Sequence, residues 1–105
     1  MRPESYAFGL LGWPVAHSLS PALHEAALKE LGLQGEYRLF PAPPLPGGAE
    51  ALEALVERLR GGELHGLNVT LPHKVAVCSL VDRLTAPAAA IGAANTLYVQ
   101  KGVLV

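Results

Sequence analysis

Aromatic side chains are scarce in this sequence, with two Phe, three Tyr and one Trp. A core built from it must rest on Leu, Val and Ala. Cysteine occurs once, at Cys78, which excludes an internal disulfide and fits a reducing compartment, with the cytoplasm as the default. Among Val75, Val77, Leu80 and Val81 the thiol reads as a small core residue. An excess of one charge is missing too: 9 acids and 8 bases are scattered to a net −1, with none of the basic stripe that nucleic acid requires. No apolar run approaches the roughly 20 residues of a membrane span, and no signal-peptide pattern follows Met1. No G-x-G-x-x-G or P-loop appears, and "GLLGWP" lacks the further glycines that cradle a phosphate. His17, His24, His65 and His73 share no metal-ligand spacing, so each reads as structural, with His24 and His73 on helix surfaces.

What is present is a regular alternation of strand and helix patterns. At 105 residues the chain is one domain by length and buries roughly two-thirds of its unfolded surface. "YAFGLLG", Tyr6 to Gly12, is a short apolar run that reads as a buried strand. In "SPALHEAALKELG" Ser20 suits an N-cap, Pro21 the first helical position and Gly32 the stop, with Glu25 and Lys29 as an i, i+4 pair. "GEYRLF" alternates as a strand does, and Pro41 to Gly48 is a loop with four prolines. Leu52, Leu55, Val56 and Leu59 form one apolar helix stripe, ended by Gly61 and Gly62. "LHGLNV" predicts a strand, "PHKVAVCSLVD" a helix and "APAAAIG" a short helical turn. "NTLYVQKGVLV" predicts two strands joined at Lys101-Gly102. The expected fold is a three-layer α/β/α domain over residues 1–105, with a mainly parallel sheet and an antiparallel strand at the C-terminal hairpin. Its abrupt apolar ending, Val103-Leu104-Val105, predicts a domain cut from a longer chain.

Three polar clusters lie near predicted strand ends, where parallel α/β sheets carry their sites. In "VAHSLSPALHEAAL" the first acid, Glu25, lies beyond the opening turn of the helix. The positive helix end therefore has no carboxylate of its own, as an anion site requires. Ser18 and Ser20 are either a plain cap or a cap that also donates to a bound carboxylate. In "NVTLPHK", Asn68 and Thr70 point to one side of an extended segment, and Lys74 returns in the first turn of the next helix. That places an amide, a hydroxyl and an ammonium at one strand end; the plain alternative is an exposed lysine beside turn residues. In "IGAANT", Gly92 and two alanines allow close approach, and Asn95 stands at the mouth of the next strand.

Taken in order, "GWPVAHSLSPALH", "GLNVTLPHK" and "IGAANTL" resemble the substrate-binding domain of the shikimate dehydrogenase family, from about Tyr6 to Val105. The resemblance implies an oxidoreductase that reversibly reduces 3-dehydroshikimate to shikimate with NADPH in aromatic amino-acid biosynthesis. It implies that Ser18 and Ser20 hold the substrate carboxylate, that Asn68, Thr70 and Asn95 bind ring hydroxyls, and that Lys74 is the catalytic lysine. Free lysine titrates near ~10.4, so base chemistry there needs a lowered pKa or a partner group. The family's partner aspartate and its NADP-binding Rossmann domain follow this region and are absent here, so the chain alone is expected to be inactive. Two other readings stay open: a quinate/shikimate dehydrogenase of broader specificity, and a free-standing shikimate-binding module without catalysis. The expected partner is a small molecule, not nucleic acid or membrane, and a homodimer is among the assemblies the sequence allows.

Overall fold

The computed structural model describes residues 5–14, 18 and 20–105. His17, one of the residues singled out above, lies outside that set. Strand β1 (Tyr6–Gly12) is the centre of the fold and pairs in parallel with β2 (Gly35–Pro41) and β3 (Gly66–Val69). The short β4 (Thr96–Leu97) runs antiparallel beside β3, giving the order β2-β1-β3-β4. Helix α1 (Ser20–Glu30) connects β1 to β2, and α2 (Ala49–Arg60) connects β2 to β3. Both are parallel crossovers, and only a helix-length connection can make them.

Side-chain alternation along the strands builds two different faces. On one, Leu11, Leu67, Val69 and Leu97 meet Leu52, Leu55 and Leu59 of α2 in a single buried cluster. That is the stripe the 3.6-residue period predicts, and each leucine buried there contributes about 1.5–3 kcal/mol. On the other face Leu10 and Tyr37 are buried with Phe8 and Leu39 against them. There α1 lies on the sheet with its His24 ring stacked on Tyr37, centroids 4.3 Å apart. Phe40 crosses over Gly9, where any Cβ would overlap the ring.

Most element boundaries follow the sequence patterns, and five expectations change. The segment 72–82 is not a regular helix: turns lead into one 3₁₀ turn at Ala76–Ser79. The Lys74 carbonyl, which would accept within an α-helix, instead takes the Ala94 N–H at 2.9 Å. His73, expected on a helix surface, is 1% exposed, with Nε2 2.6 Å from the Ala42 carbonyl. The predicted terminal strand pair divides at Tyr98: β4 joins the main sheet, while β5 (Val99–Gln100) and β6 (Val103–Leu104) form a separate hairpin. Lys101 and Gly102 turn it with φ of 51° and 79°, as a two-residue hairpin requires. Helix α1 begins at Ser20 itself, so Pro21 is its second residue. Finally, Glu25 and Lys29 are not among the ion pairs of the described residues, as befits two exposed side chains with little to gain.

Outside the sheet, α3 (Ala86–Ile91) is capped by Thr85, whose hydroxyl accepts from the Ala88 N–H, and Gly92 closes it at φ 79°. Arg60, at the end of α2, donates two 2.9 Å hydrogen bonds to the Asp82 carboxylate. Asp82 also accepts from the Leu104 N–H, and these bonds, Arg60's first, bring its carboxyl down to about 2.

Candidate functional site

The polar side chains gather at the β3–β4 pair. Asn68 is half-buried on β3 between the buried Leu67 and Val69, and is thereby turned to the α1 face. Its Nδ2 donates to the Tyr37 hydroxyl at 2.8 Å, and its Oδ1 accepts from the Thr96 hydroxyl at 3.2 Å. The same Thr96 hydroxyl is 3.2 Å from Asn95 Oδ1, and the Asn95 carbonyl accepts from the Val69 N–H at 2.8 Å. Four side chains from three distant parts of the sequence therefore form one chain of hydrogen bonds: Tyr37, Asn68, Thr96 and Asn95. Thr70 follows β3 directly, held by its own N–H to the Leu11 carbonyl and by its carbonyl to the His73 N–H.

Lys74 reaches this place by a turn fixed on both sides. Before it, the His73 imidazole is clamped to Ala42; because a carbonyl only accepts, Nε2 carries the hydrogen. His73 Nδ1 is then buried with no partner among the described residues. The Lys74 carbonyl itself holds Ala94. Lys74 lines a cavity of about 340 Å³ together with Thr85, Ala94, Asn95, Thr96 and Tyr98. A second cavity, of about 290 Å³, is lined by His24, Tyr37, His65, Asn68, Thr96 and Tyr98. Thr96 and Tyr98 line both, so the two spaces adjoin, each near the size of a small-molecule pocket.

Ser18 and Ser20 meet at the start of α1. The Ser18 hydroxyl oxygen accepts from the Ser20 N–H at 3.1 Å, so the oxygen at this helix start belongs to Ser18. The first turn of α1 holds no acidic residue. Ser20 and His24, four apart, share a helix face. Since His24 stacks on Tyr37 and Tyr37 accepts from Asn68, that face is the one turned towards the polar network. Neither described cavity is lined by Ser18, Ser20 or Thr70.

The structure thus brings Asn68, Asn95 and Lys74 to one region, with Thr70 on the adjoining turn, and sets the two serines on the neighbouring helix start. Sequence reasoning missed Tyr37, Thr96 and Tyr98. A tyrosine in an alternating strand carries no signal beyond packing, and Thr96 follows Asn95 as an ordinary β-former. No three His, Cys, Asp or Glu side chains among the described residues group as metal ligands. Nor do the residues fit a dinucleotide: the β1–α1 connection reads Gly12-Trp13-Pro14 where a phosphate loop needs repeated glycines. No helix of the described residues is long and apolar enough to cross a membrane.

Comparison with known proteins adds the following. A family model described as the shikimate dehydrogenase substrate binding domain matches residues 10–97. The shikimate dehydrogenase (NADP(+)) of Geobacter sp. strain M21 is 47% identical over 96 residues, covering 91% of this chain and 31% of that protein. The chain spans about a third of the length of the curated relatives it matches. Among solved structures, shikimate 5-dehydrogenase from Thermus thermophilus in complex with NADP(H) and shikimate is similar at TM-score 0.81 and 42% identity, over 94% of this chain and 36% of that one. The ligand-free 5-ketofructose reductase of Gluconobacter sp. strain CHM43 is similar at TM-score 0.82 and 31% identity, over 95% and 34%.

Proposed function

Because the chain belongs to the shikimate dehydrogenase substrate binding domain family, we propose that it is the substrate-holding part of an NADPH-dependent enzyme that interconverts 3-dehydroshikimate and shikimate. The observation that carries this reading is the convergence of Asn68, Asn95 and Lys74 on adjoining cavities beside an acid-free helix start. A cyclic polyhydroxy acid needs one anion site, several neutral donors and acceptors, and one group that moves a proton. Ser18 and Ser20, with the α1 N-terminus, are assigned to the carboxylate. Asn68, Thr70 and Asn95 are assigned to the ring hydroxyls. Lys74 is assigned the proton: as an ammonium it supplies one to the oxygen that becomes alkoxide at C3, and in the reverse direction it takes that proton back. The share of the reaction assigned to these residues is substrate binding and proton transfer, with NADP assigned to the Rossmann domain of the whole enzyme.

The same reading treats residues 1–105 as one substrate-binding domain and puts the protein in the cytoplasm, where the free Cys78 stays reduced. Pairing of two copies is the assembly to look for, by light scattering at working concentration. The similarity to a 5-ketofructose reductase keeps a second reading open, a polyhydroxy ketone without a carboxylate. Calorimetry on the 105-residue chain separates the readings. Shikimate is expected to bind in the millimolar range, and Ser18→Ala with Ser20→Ala is expected to weaken it by about tenfold or more, as loss of bonds to a charged group does. No heat of binding at millimolar shikimate, or equal binding by the double variant, would sink the carboxylate assignment.

A further inference from the structure

The hydroxyl of Thr96 lies 3.2 Å from Asn68 Oδ1 and 3.2 Å from Asn95 Oδ1. A hydroxyl has one proton, so it serves one of these oxygens at a time and leaves the other to solvent or to a ligand that displaces it. Both backbones are fixed. Asn68 and Thr96 are register partners in the antiparallel pair, and the Asn95 carbonyl is held by the Val69 N–H. The Asn68 amide cannot turn away either, because its Nδ2 is committed to the hydroxyl of Tyr37, a residue only 3% exposed. Thr96 also stands where the two cavities adjoin, with Asn95 lining one and Asn68 the other, so both amides border space a small molecule can enter.

We propose that Thr96 is a positioning residue that sets specificity: its single shared proton aims both amide oxygens inward and leaves one of them for a ligand hydroxyl to satisfy. The assignment rests on the reading that a polyhydroxy ligand occupies these cavities, and it deepens that reading. A ligand that donates at this point is favoured. One with hydrogen or a purely accepting oxygen there leaves an amide oxygen unpaired and is rejected. Thr96 acts through Asn68 and Asn95 and moves no proton in the reaction.

The test uses ¹⁵N-labelled 105-residue chain and shikimate as the probe. Without ligand, Thr96→Val is expected to shift the side-chain amide resonances of both Asn68 and Asn95, and Thr96→Ser to leave them near their original positions. In titrations, Thr96→Val is expected to raise the shikimate dissociation constant about tenfold, the effect of one hydrogen bond, while Thr96→Ser stays within about threefold. If the unaltered chain binds shikimate and Thr96→Val binds it equally well, the Thr96 assignment is overturned and the reading of the site survives. If Thr96→Val moves neither amide, the assignment is overturned whatever binds. If the unaltered chain binds no shikimate while both amides move, the ligand reading falls and takes the specificity role with it, leaving Thr96 only as the residue that orients the two amides.

Discussion

The two faces of the sheet are made from the same strands and do different work. The α2 face is mostly hydrocarbon: Leu11, Leu52, Leu55, Leu59, Leu67, Val69 and Leu97 are all buried in one cluster. Among the described residues the α1 face buries Leu10 and Tyr37 of the sheet and Leu28 of the helix, and it also carries His24, Asn68 and a cavity. Strand periodicity makes this division possible, since β3 can turn Leu67 and Val69 to one side and Asn68 to the other. Rigidity is thus concentrated on one side, and hydrogen-bonding side chains are displayed on the other. A polar network placed inside the packed face would have to be fully satisfied, whereas at a cavity it can leave an oxygen for a ligand.

The division is tested most strongly by Leu59→Ala. Leu59 is 2% exposed in the middle of the packed face. Its truncation is expected to cost about 2–5 kcal/mol in urea unfolding, the range for a leucine cavity that does not collapse. A loss under about 1 kcal/mol would mean that α2 is loosely seated and the two faces are less different than their burial implies.

His73 is a polar exception on the packed side, and it sharpens the comparison. Its Nε2–H satisfies the carbonyl of Ala42, itself 1% exposed, and so ties the Lys74 turn to the proline-rich loop. His73→Leu strands that carbonyl, for an expected loss of about 1–3 kcal/mol, partly offset because the unpartnered Nδ1 goes too. His73→Gln keeps a donor within reach of the carbonyl and should recover most of the loss. Equal melting temperatures for the two variants would show that the hydrogen bond is not what holds the turn.

Legibility followed the same division. The packed face was readable in the sequence because its signal is periodic: the α2 stripe and the β1 and β3 runs stand where their spacing puts them. The C-terminal turn at Lys101-Gly102 was readable too, since few residue pairs adopt two positive φ angles. The segment after Pro72 was not. Its valines and alanine fit a helix locally, and what unmakes the helix is a contact between Lys74 and the distant Ala94. At the site, Asn68, Asn95 and Lys74 were visible as odd polar residues at strand ends. Tyr37 and Thr96 were invisible, because their meaning lies in partners 31 and 28 residues distant.

Tyr37→Phe is the gentlest break and falls on the open face. The ring stays, with its burial and its stack on His24, and only the acceptor for Asn68 Nδ2 is removed. Asn68 is half-buried, so water can replace part of that bond, and the stability loss is expected to be about 0.5–1.5 kcal/mol. The larger effect should be on orientation: without Tyr37 the Asn68 amide is free to rotate, and its Oδ1 no longer has to face Thr96. The side-chain amide resonance of Asn68 is therefore expected to broaden or move while the backbone spectrum around α2 stays put. If Tyr37→Phe cost as much as Leu59→Ala, the hydroxyl would belong to the packed core, and the separation of the two faces would fail at its most polar point.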